Sequence, residues 1–400
     1  MKFIFSFIIL IASICQQPVL AQSKKEAGIL VQIETNLRDA ARQYEVMMQL
    51  VPPGQFPRTY NAGIDKFVTS NSSWWCSGFY PGSLLYLYKE SKNKVFLDEA
   101  NRMLGFLEKE KNNKNTHDLG FMMYCSFGNA NKLNPSEKYK DILLTSAQSL
   151  STRFNPTVGC IKSWNGKPGE YLVIIDNMMN LELLFWATKV TGDSSYYKIA
   201  TTHANTTMQH HFRDDYSSYH VVNYNSQTGA INERKTAQGF SDASAWARGQ
   251  AWGLYGYTMT YRETRDQRYL DQANHIARFI LKHKNYPADG IPYWDFDADN
   301  IPDALRDVSA AAVMASALLE LSTYSKENKK TYKAAAEKII MSLSSERYKA
   351  KIGTNGGFIL EHSVGSIPHK SEVDVPLTYA DYYFLEAMLR YKSLVETGKI

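Results

Sequence analysis

Two aspartates carry the first chemical signal. Asp176 follows the apolar run Leu172-Val173-Ile174-Ile175, and Asp118 follows Thr116-His117. An apolar surround disfavours the charged form of a carboxyl, and a nearby anion raises its pKa further. A carboxyl that stays protonated near neutral pH is a general acid. Each aspartate alone also reads as a helix N-cap or a buried polar anchor. The two lie 58 residues apart, and that spacing becomes informative once the helical repeat below is known.

A second cluster runs through Trp246-x-Arg248-x-x-x-Trp252. Arg248 and Trp252 are four apart, so on a helix the guanidinium and the indole share a face. A planar cationic fork suits a carboxylate and an indole suits the apolar face of a pyranose. The same residues could instead form a cation–π pair inside a barrel. Gln238, Trp74, Trp75 and Trp164 also fall on predicted loops, which favours sugar binding. An isolated histidine such as His220 is by default a core histidine held by one backbone bond.

Other motifs are set aside. Trp294-Asp-Phe-Asp-Ala-Asp-Asn300 opens like a calcium loop but has Asn300 at the sixth position and Arg306 at the twelfth, so it reads as a solvated acidic loop. His210 and His211 are consecutive and diverge on a helix, too far for one ligand site. No Gly-rich phosphate loop and no G-x-S-x-G elbow is present. No metal and no cofactor is expected.

The elements that must position these residues are helices. Asn177–Val190, Trp246–Thr264, Ser309–Tyr324 and Thr378–Tyr391 are apolar around most of their circumference and read as buried. Helices with a clearer polar face alternate with them and share a pattern, from Phe96-x-x-x-Ala100 through Tyr139, Tyr196 and Tyr269 to Tyr332-x-x-x-Ala336, at a mean interval of 59 residues. A period near sixty fits a helical hairpin with loops. About six hairpins fit the chain, which predicts an all-α fold, an inner ring inside an outer ring: an (α/α)6 barrel. An open solenoid shares the alternation, but its last helix should be a polar cap, and here that helix is as apolar as the interior ones. Asp118 and Asp176 then fall on adjacent inner helices at one end. Five of the six loops that start inner helices contain an Asp, and N-capping is expected to explain most of them.

Residues 1–21 read as an export leader, with Lys2, an apolar Phe3–Ile14 core and Val19-Leu20-Ala21 before the cut. Lipidation at Cys15 is the weaker reading, because Ile14 is bulkier than the small residue such processing needs. Residues 22–400 form one predicted domain, with no Pro-, Gly- or Ser-rich linker. No later run of eighteen apolar residues occurs, so an exported, periplasmic and soluble mature chain is expected. Cys76, Cys125 and Cys160 are too few for a disulfide framework, although one bridge is possible. A net charge of +5 without a basic stripe excludes a nucleic-acid footprint, and no protein partner is evident. Aromatics at 13% suit a thick core or a groove for sugar rings.

Taken in order, six motifs resemble the unsaturated glucuronyl hydrolases, glycoside hydrolase family 88. They are Trp74-Trp75-Cys-Ser-Gly-Phe-Tyr-Pro-Gly82, His117-Asp118-Leu-Gly-Phe121, Asp176-Asn-Met-Met-Asn-Leu181, Thr236-Ala-Gln238-Gly-Phe, Trp246-Ala-Arg248-Gly-Gln-Ala-Trp252 and Asp374-Val-Pro-Leu-x-Tyr-Ala-Asp-Tyr-Tyr383. The resemblance runs from about residue 70 to 390. It implies an (α/α)6 barrel and an exo-acting enzyme that removes a 4,5-unsaturated uronic acid from lyase-generated oligosaccharides by hydrating the C4=C5 vinyl ether. It also implies Asp176 as general acid/base and Asp118 as the second carboxylate. His117, His220, Gln238, Arg248, Trp252, Trp74, Trp75 and Trp164 match substrate-contacting positions. Ser363, Ser366 and Lys370 resemble a sulfate-binding loop, which also reads as an ordinary turn. The unsaturated rhamnogalacturonyl hydrolases share this barrel and chemistry. A non-catalytic glycan-binding helical protein would use the same aromatics.

Overall fold

Six helices buried on nearly every side alternate along the chain with helices that keep a polar face, and the first group forms a closed ring. The computed structural model describes residues 3–400, with side chains from Lys24 onward, so the side chains of the predicted leader, Cys15 included, lie outside the described residues. The inner ring is α2 (Phe79–Ser91), a π-helix at Gly120–Gly128 continued by α4 (Asn129–Leu133), α6 (Leu181–Thr191), α8 (Ala247–Thr264), α10 (Val308–Tyr324) and α12 (Thr378–Thr397). The outer ring is α1 (Phe3–Leu50), α3 (Lys94–Leu107), α5 (Glu137–Ser151), α7 (Ser194–His210), α9 (Gln267–Lys282) and α11 (Lys329–Leu343). α12 packs against α2, which closes the ring, and α1 packs against α2, α11 and α12 to complete the outer layer. The predicted toroid is therefore present, and an open solenoid is not.

The two rings differ for a sequence reason. In α3, Phe96, Ala100, Met103, Leu104 and Leu107 are buried at helical spacing, one stripe facing inward. In α10, every residue from Val308 to Ser322 is buried, and its alanines and serines allow close approach on all sides. One uninterrupted core runs from Ile29 to Tyr391 through both rings.

Capping divides the same way. Asn93, Ser136, Asp193 and Asp266 cap outer helices with side-chain oxygens. Among the inner helices, α2, α4, α6, α8 and α12 lack a side-chain cap, and only α10 has one, from Asp307. The expectation that capping explains most of the inner-loop aspartates is thus corrected. Asp118 and Asp176 cap nothing and are left for other work.

The all-α reading also missed nine short strands among the described residues, all antiparallel. β1 (Phe56–Asn61) pairs with β2 (Lys66–Ser70), β3 (Phe154–Asn155) with β4 (Cys160–Ile161), and β8 (Ser363–Ser366) with β9 (Ser371–Val375). β6 (Val221–Asn225) lies between β5 (Glu170–Ile174) and β7 (Ile231–Lys235). Most are too short to show an alternating pattern, and they serve as loop stiffeners. Cys76, Cys125 and Cys160 are free thiols. No described helix is long and apolar enough to cross a membrane.

Candidate active site

The loops that start the inner helices meet around a cavity of about 430 Å³, lined by Asp118, Asp176, Trp74, Trp75, Trp164, Gln238 and Arg248 among others. A second cavity, about 550 Å³, opens at another part of the ring and shares Phe121 with the first. Its charges are largely spent on one another: Arg262 pairs with Glu182, Glu263 and Glu320, and Glu386 accepts from Tyr86, Tyr255 and Ser316. The first cavity holds the unspent groups.

Asp176 sits in a 3-10 turn, Ile175–Asn180, where β5 runs into α6. Strand β5 is pinned by its ladder to β6 and by the Ile174 N–H donating to Ser163 Oγ at 2.9 Å, so the turn is rigid. Burial raises the Asp176 carboxyl to about 7; Arg248 opposes the shift and Asp118 adds to it. Its Oδ2 is sealed from solvent and accepts no hydrogen bond. Asp118 is likewise raised to about 7 by burial, with Asn180 and Arg153 holding it back.

Asn180 joins the two. One turn after Asp176, it donates from Nδ2 to Asp118 Oδ1 at 3.4 Å and accepts the Phe121 N–H at 2.9 Å. The two inner-helix starts can approach this closely because residue 120 is glycine: a Cβ there would stand 2.4 Å from Asn180 Cα. Gly120→Ala is therefore expected to cost about 1–3 kcal/mol by overpacking. A denaturant melt checks it, and an unchanged midpoint would show that the loop yields.

His220 immediately precedes β6 and faces Asp176. Its Nδ1 accepts the N–H groups of Ala237 at 3.1 Å and Gln238 at 3.2 Å, so the ring proton is on Nε2. That Nε2–H lies 3.7 Å from Asp176 Oδ2. Burial, with Arg248 nearby, lowers the His220 pKa to about 3, so the ring is a neutral donor. His220 is therefore held by two backbone groups and aimed at the acid, which a plain core histidine would not be. The Trp252 N–H, without another partner, also faces Asp176 and favours its anion. His117 is buried, neutral for the same reason, and 3.3 Å from Asp118 Oδ1.

Arg248 is placed differently from expectation. Its guanidinium pairs with Asp307 at 3.0 Å and donates to the carbonyls of Val364 and Gly365. It stacks on Trp246 at 4.6 Å and Tyr379 at 5.4 Å, whereas the sequence paired it with Trp252. Two of its five N–H groups remain for a ligand. Trp252 lies wholly in the core with only its N–H turned to the site. Trp164 meets His220 edge-on, and Trp75 packs against Phe79, Phe121 and Tyr379. Trp74 is 37% exposed, the most open of these rings.

The loop Ser363–Lys370 is divided. Ser366 lines the cavity and bonds His369 at 2.7 Å. Ser363 is fully buried and Lys370 is exposed, and neither lines it, so the sulfate loop is not assembled as the sequence implied. The acidic motif after Trp294 is also corrected. Asp295 is fully buried and accepts from Phe240 N–H, Ser244 hydroxyl and Asp297 N–H, fastening the loop that carries Gln238. A calcium-loop template has no term for such a strap. Sequence reasoning missed Arg58, His369, Glu372 and Tyr379 in the wall. Tyr379 belongs to a quoted motif; Arg58 carried no signal at all.

Residues 53–391 match the model of Glycosyl Hydrolase Family 88. An unsaturated glucuronyl hydrolase of Formosa agariphila is 45% identical over 377 residues, 94% of this chain and 93% of that protein. An unsaturated chondroitin disaccharide hydrolase of Streptococcus pneumoniae is 34% identical, covering 79% of this chain and 81% of that one. A crystal structure of an unsaturated glucuronyl hydrolase specific for heparin superposes with a TM-score of 0.89 at 47% identity, over 91% of this chain and 98% of that one.

Proposed function

Since this chain belongs to glycosyl hydrolase family 88, we propose that it removes the 4,5-unsaturated uronic acid from the non-reducing end of lyase-generated oligosaccharides, glycosaminoglycan fragments in particular. The observation that carries the reading is the pair of buried aspartyl groups, both raised to about 7, at one cavity with a neutral histidine N–H and an indole N–H aimed at one of them.

The substrate is an enol ether, so the route is hydration rather than direct displacement at C1, outside the usual two-carboxylate schemes. Asp176 gives its proton to C4, and the positive charge that develops is shared by C5 and the ring oxygen. Asp118 faces that charge as an anion. The Asp176 carboxylate, stabilised by the His220 and Trp252 N–H groups, then takes a proton from the water that adds to C5. Asp176 is thereby restored. The C5 hemiketal opens by breaking its bond to the ring oxygen, and the freed hemiacetal at C1 collapses and releases the second sugar. One water is consumed. The open N–H groups of Arg248 and the Gln238 amide are placed to hold the uronate carboxylate, and Trp74 and Trp164 to flank the rings.

The test is direct. The purified chain is incubated with unsaturated disaccharides from heparin, chondroitin and rhamnogalacturonan, and ultraviolet absorbance of the conjugated alkene is followed. Loss with the first two supports the reading. Loss only with the third makes the enzyme a rhamnogalacturonyl hydrolase, and binding without loss makes it a glycan-binding protein. Export rests on the leader pattern of residues 1–21, which N-terminal sequencing of the periplasmic protein would test.

A further inference from the structure

On the cavity wall, Arg58 of β1 and Glu372 of β9 form an ion pair, Nε to Oε1 at 2.5 Å, with the guanidinium stacked on Trp74 at 4.5 Å. Arg58 Nη2 also reaches Ser371 Oγ at 3.4 Å. Among the described residues, Arg58 Nη1 and Glu372 Oε2 have no hydrogen-bond partner. The pair therefore presents to the cavity a donor group and an acceptor that have no protein partner.

The carboxylate is built into place. Glu372 has φ +55°, a left-handed conformation a glutamate rarely adopts. Its side chain lies across Gly365, where a Cβ would stand 2.8 Å from Oε2. Strain of this kind persists only where the surroundings hold it. Arg58 and Trp74 stand nearer the mouth than the acids do, and Glu372 reaches back to their depth: the Arg58 side chain is 25% exposed, against 13% for Glu372, 12% for Asp118 and 14% for Asp176. With the unsaturated ring at the two aspartates, the sugar released by cleavage falls toward this wall.

We propose that the Arg58–Glu372 pair beside Trp74 forms the subsite of the leaving sugar, and that Glu372 selects an uncharged, hydroxyl-bearing pyranose there over a sulfated one. The inference rests on the exo-hydrolase reading above. A sugar hydroxyl both donates and accepts, so it satisfies Oε2 and Nη1 together, while an aromatic ring takes its C–H face. A sulfate only accepts. It would meet the Glu372 carboxylate, with Arg58 already shared, Lys370 outside the cavity and Ser366 engaged with His369. Like charges brought together in this way reject a partner.

The experiment compares kcat/KM for an unsaturated uronyl–hexosamine disaccharide and its 6-O-sulfated counterpart. The wild-type chain is expected to favour the unsulfated substrate by about tenfold or more, the scale of one unfavourable polar contact. Glu372→Gln, which keeps size and removes charge, is expected to reduce that ratio by about tenfold, mainly through KM for the sulfated substrate. Arg58→Gln removes the neighbouring cation and is expected to increase the ratio. A structural disturbance would move both variants the same way, so shifts of the same sign overturn the proposal, as does a wild-type preference for sulfate or an unchanged ratio in Glu372→Gln. Failure of the wild-type chain on every unsaturated disaccharide would instead reject the hydrolase reading itself.

Discussion

Asp176→Asn is expected to lower kcat by about a thousandfold or more, toward the upper end of what one positioned acid–base group contributes. The reason is that Asp176 acts twice, protonating C4 and then taking the proton of the attacking water. An amide does neither at neutral pH. The change should leave the fold intact, because Oδ2 accepts no hydrogen bond that an amide would break. The His220 Nε2–H, 3.7 Å from that atom, can face the amide oxygen. Substrate affinity should stay within a few-fold, since the lost interaction is made in the transition state. Alkene loss, a thermal melt and a binding titration on the same preparation check all three statements. A variant with more than a tenth of wild-type turnover would remove Asp176 from the mechanism.

The second expectation concerns pH. Asp176 must be protonated to act, so activity should fall as pH rises past about 7, where burial has placed its pKa. Asp118 must be ionised to face the developing cation, so activity should also fall on the acid side of its own value, again about 7. The profile is then a narrow bell whose limbs belong to the pair. Asp118→Asn removes the negative charge that helps to raise Asp176. The Asp176 pKa drops, and the alkaline limb moves to lower pH. The acid limb should disappear with the group that caused it. A loss of about a hundredfold in kcat is expected, the size measured when one charge-stabilising group leaves an active site. A profile of unchanged shape, whatever the rate, would show that Asp118 only orients the sugar.

These expectations depend on how the two aspartates are freed for chemistry. In the outer helices, side chains such as Asn93 and Asp266 satisfy the first N–H groups. The inner helices for the most part forgo such caps, and the chain enters them through 3-10 or π turns, as at Ile175–Asn180 and Gly120–Gly128. The helix starts are thus shaped by packing, and the carboxylates near them keep lone pairs for a ligand. Irregular helical turns of this sort recur at functional sites.

Local pattern determined much of this protein. All-round apolar segments such as Ser309–Tyr324, spaced near sixty residues, required an inner ring, because a helix without a polar face must be covered on every side. Asp118 and Asp176 were legible for the same reason: one hairpin period apart, they had to share an end. The partners of Arg248 were legible only in part. Asp307, 59 residues on, lies one hairpin period away and falls at the same end, but Val364, 116 residues away, belongs to the β8–β9 hairpin, which the helical repeat does not place. Arg58 and Glu372 are 314 residues apart and meet because α12 returns to α2. Asp295 read as a wet acidic loop until folding buried it beneath Phe240. Periodicity is a property of neighbouring residues and survives in one dimension. Which charge meets which, and whether water reaches it, depends on distances that no stretch of chain contains.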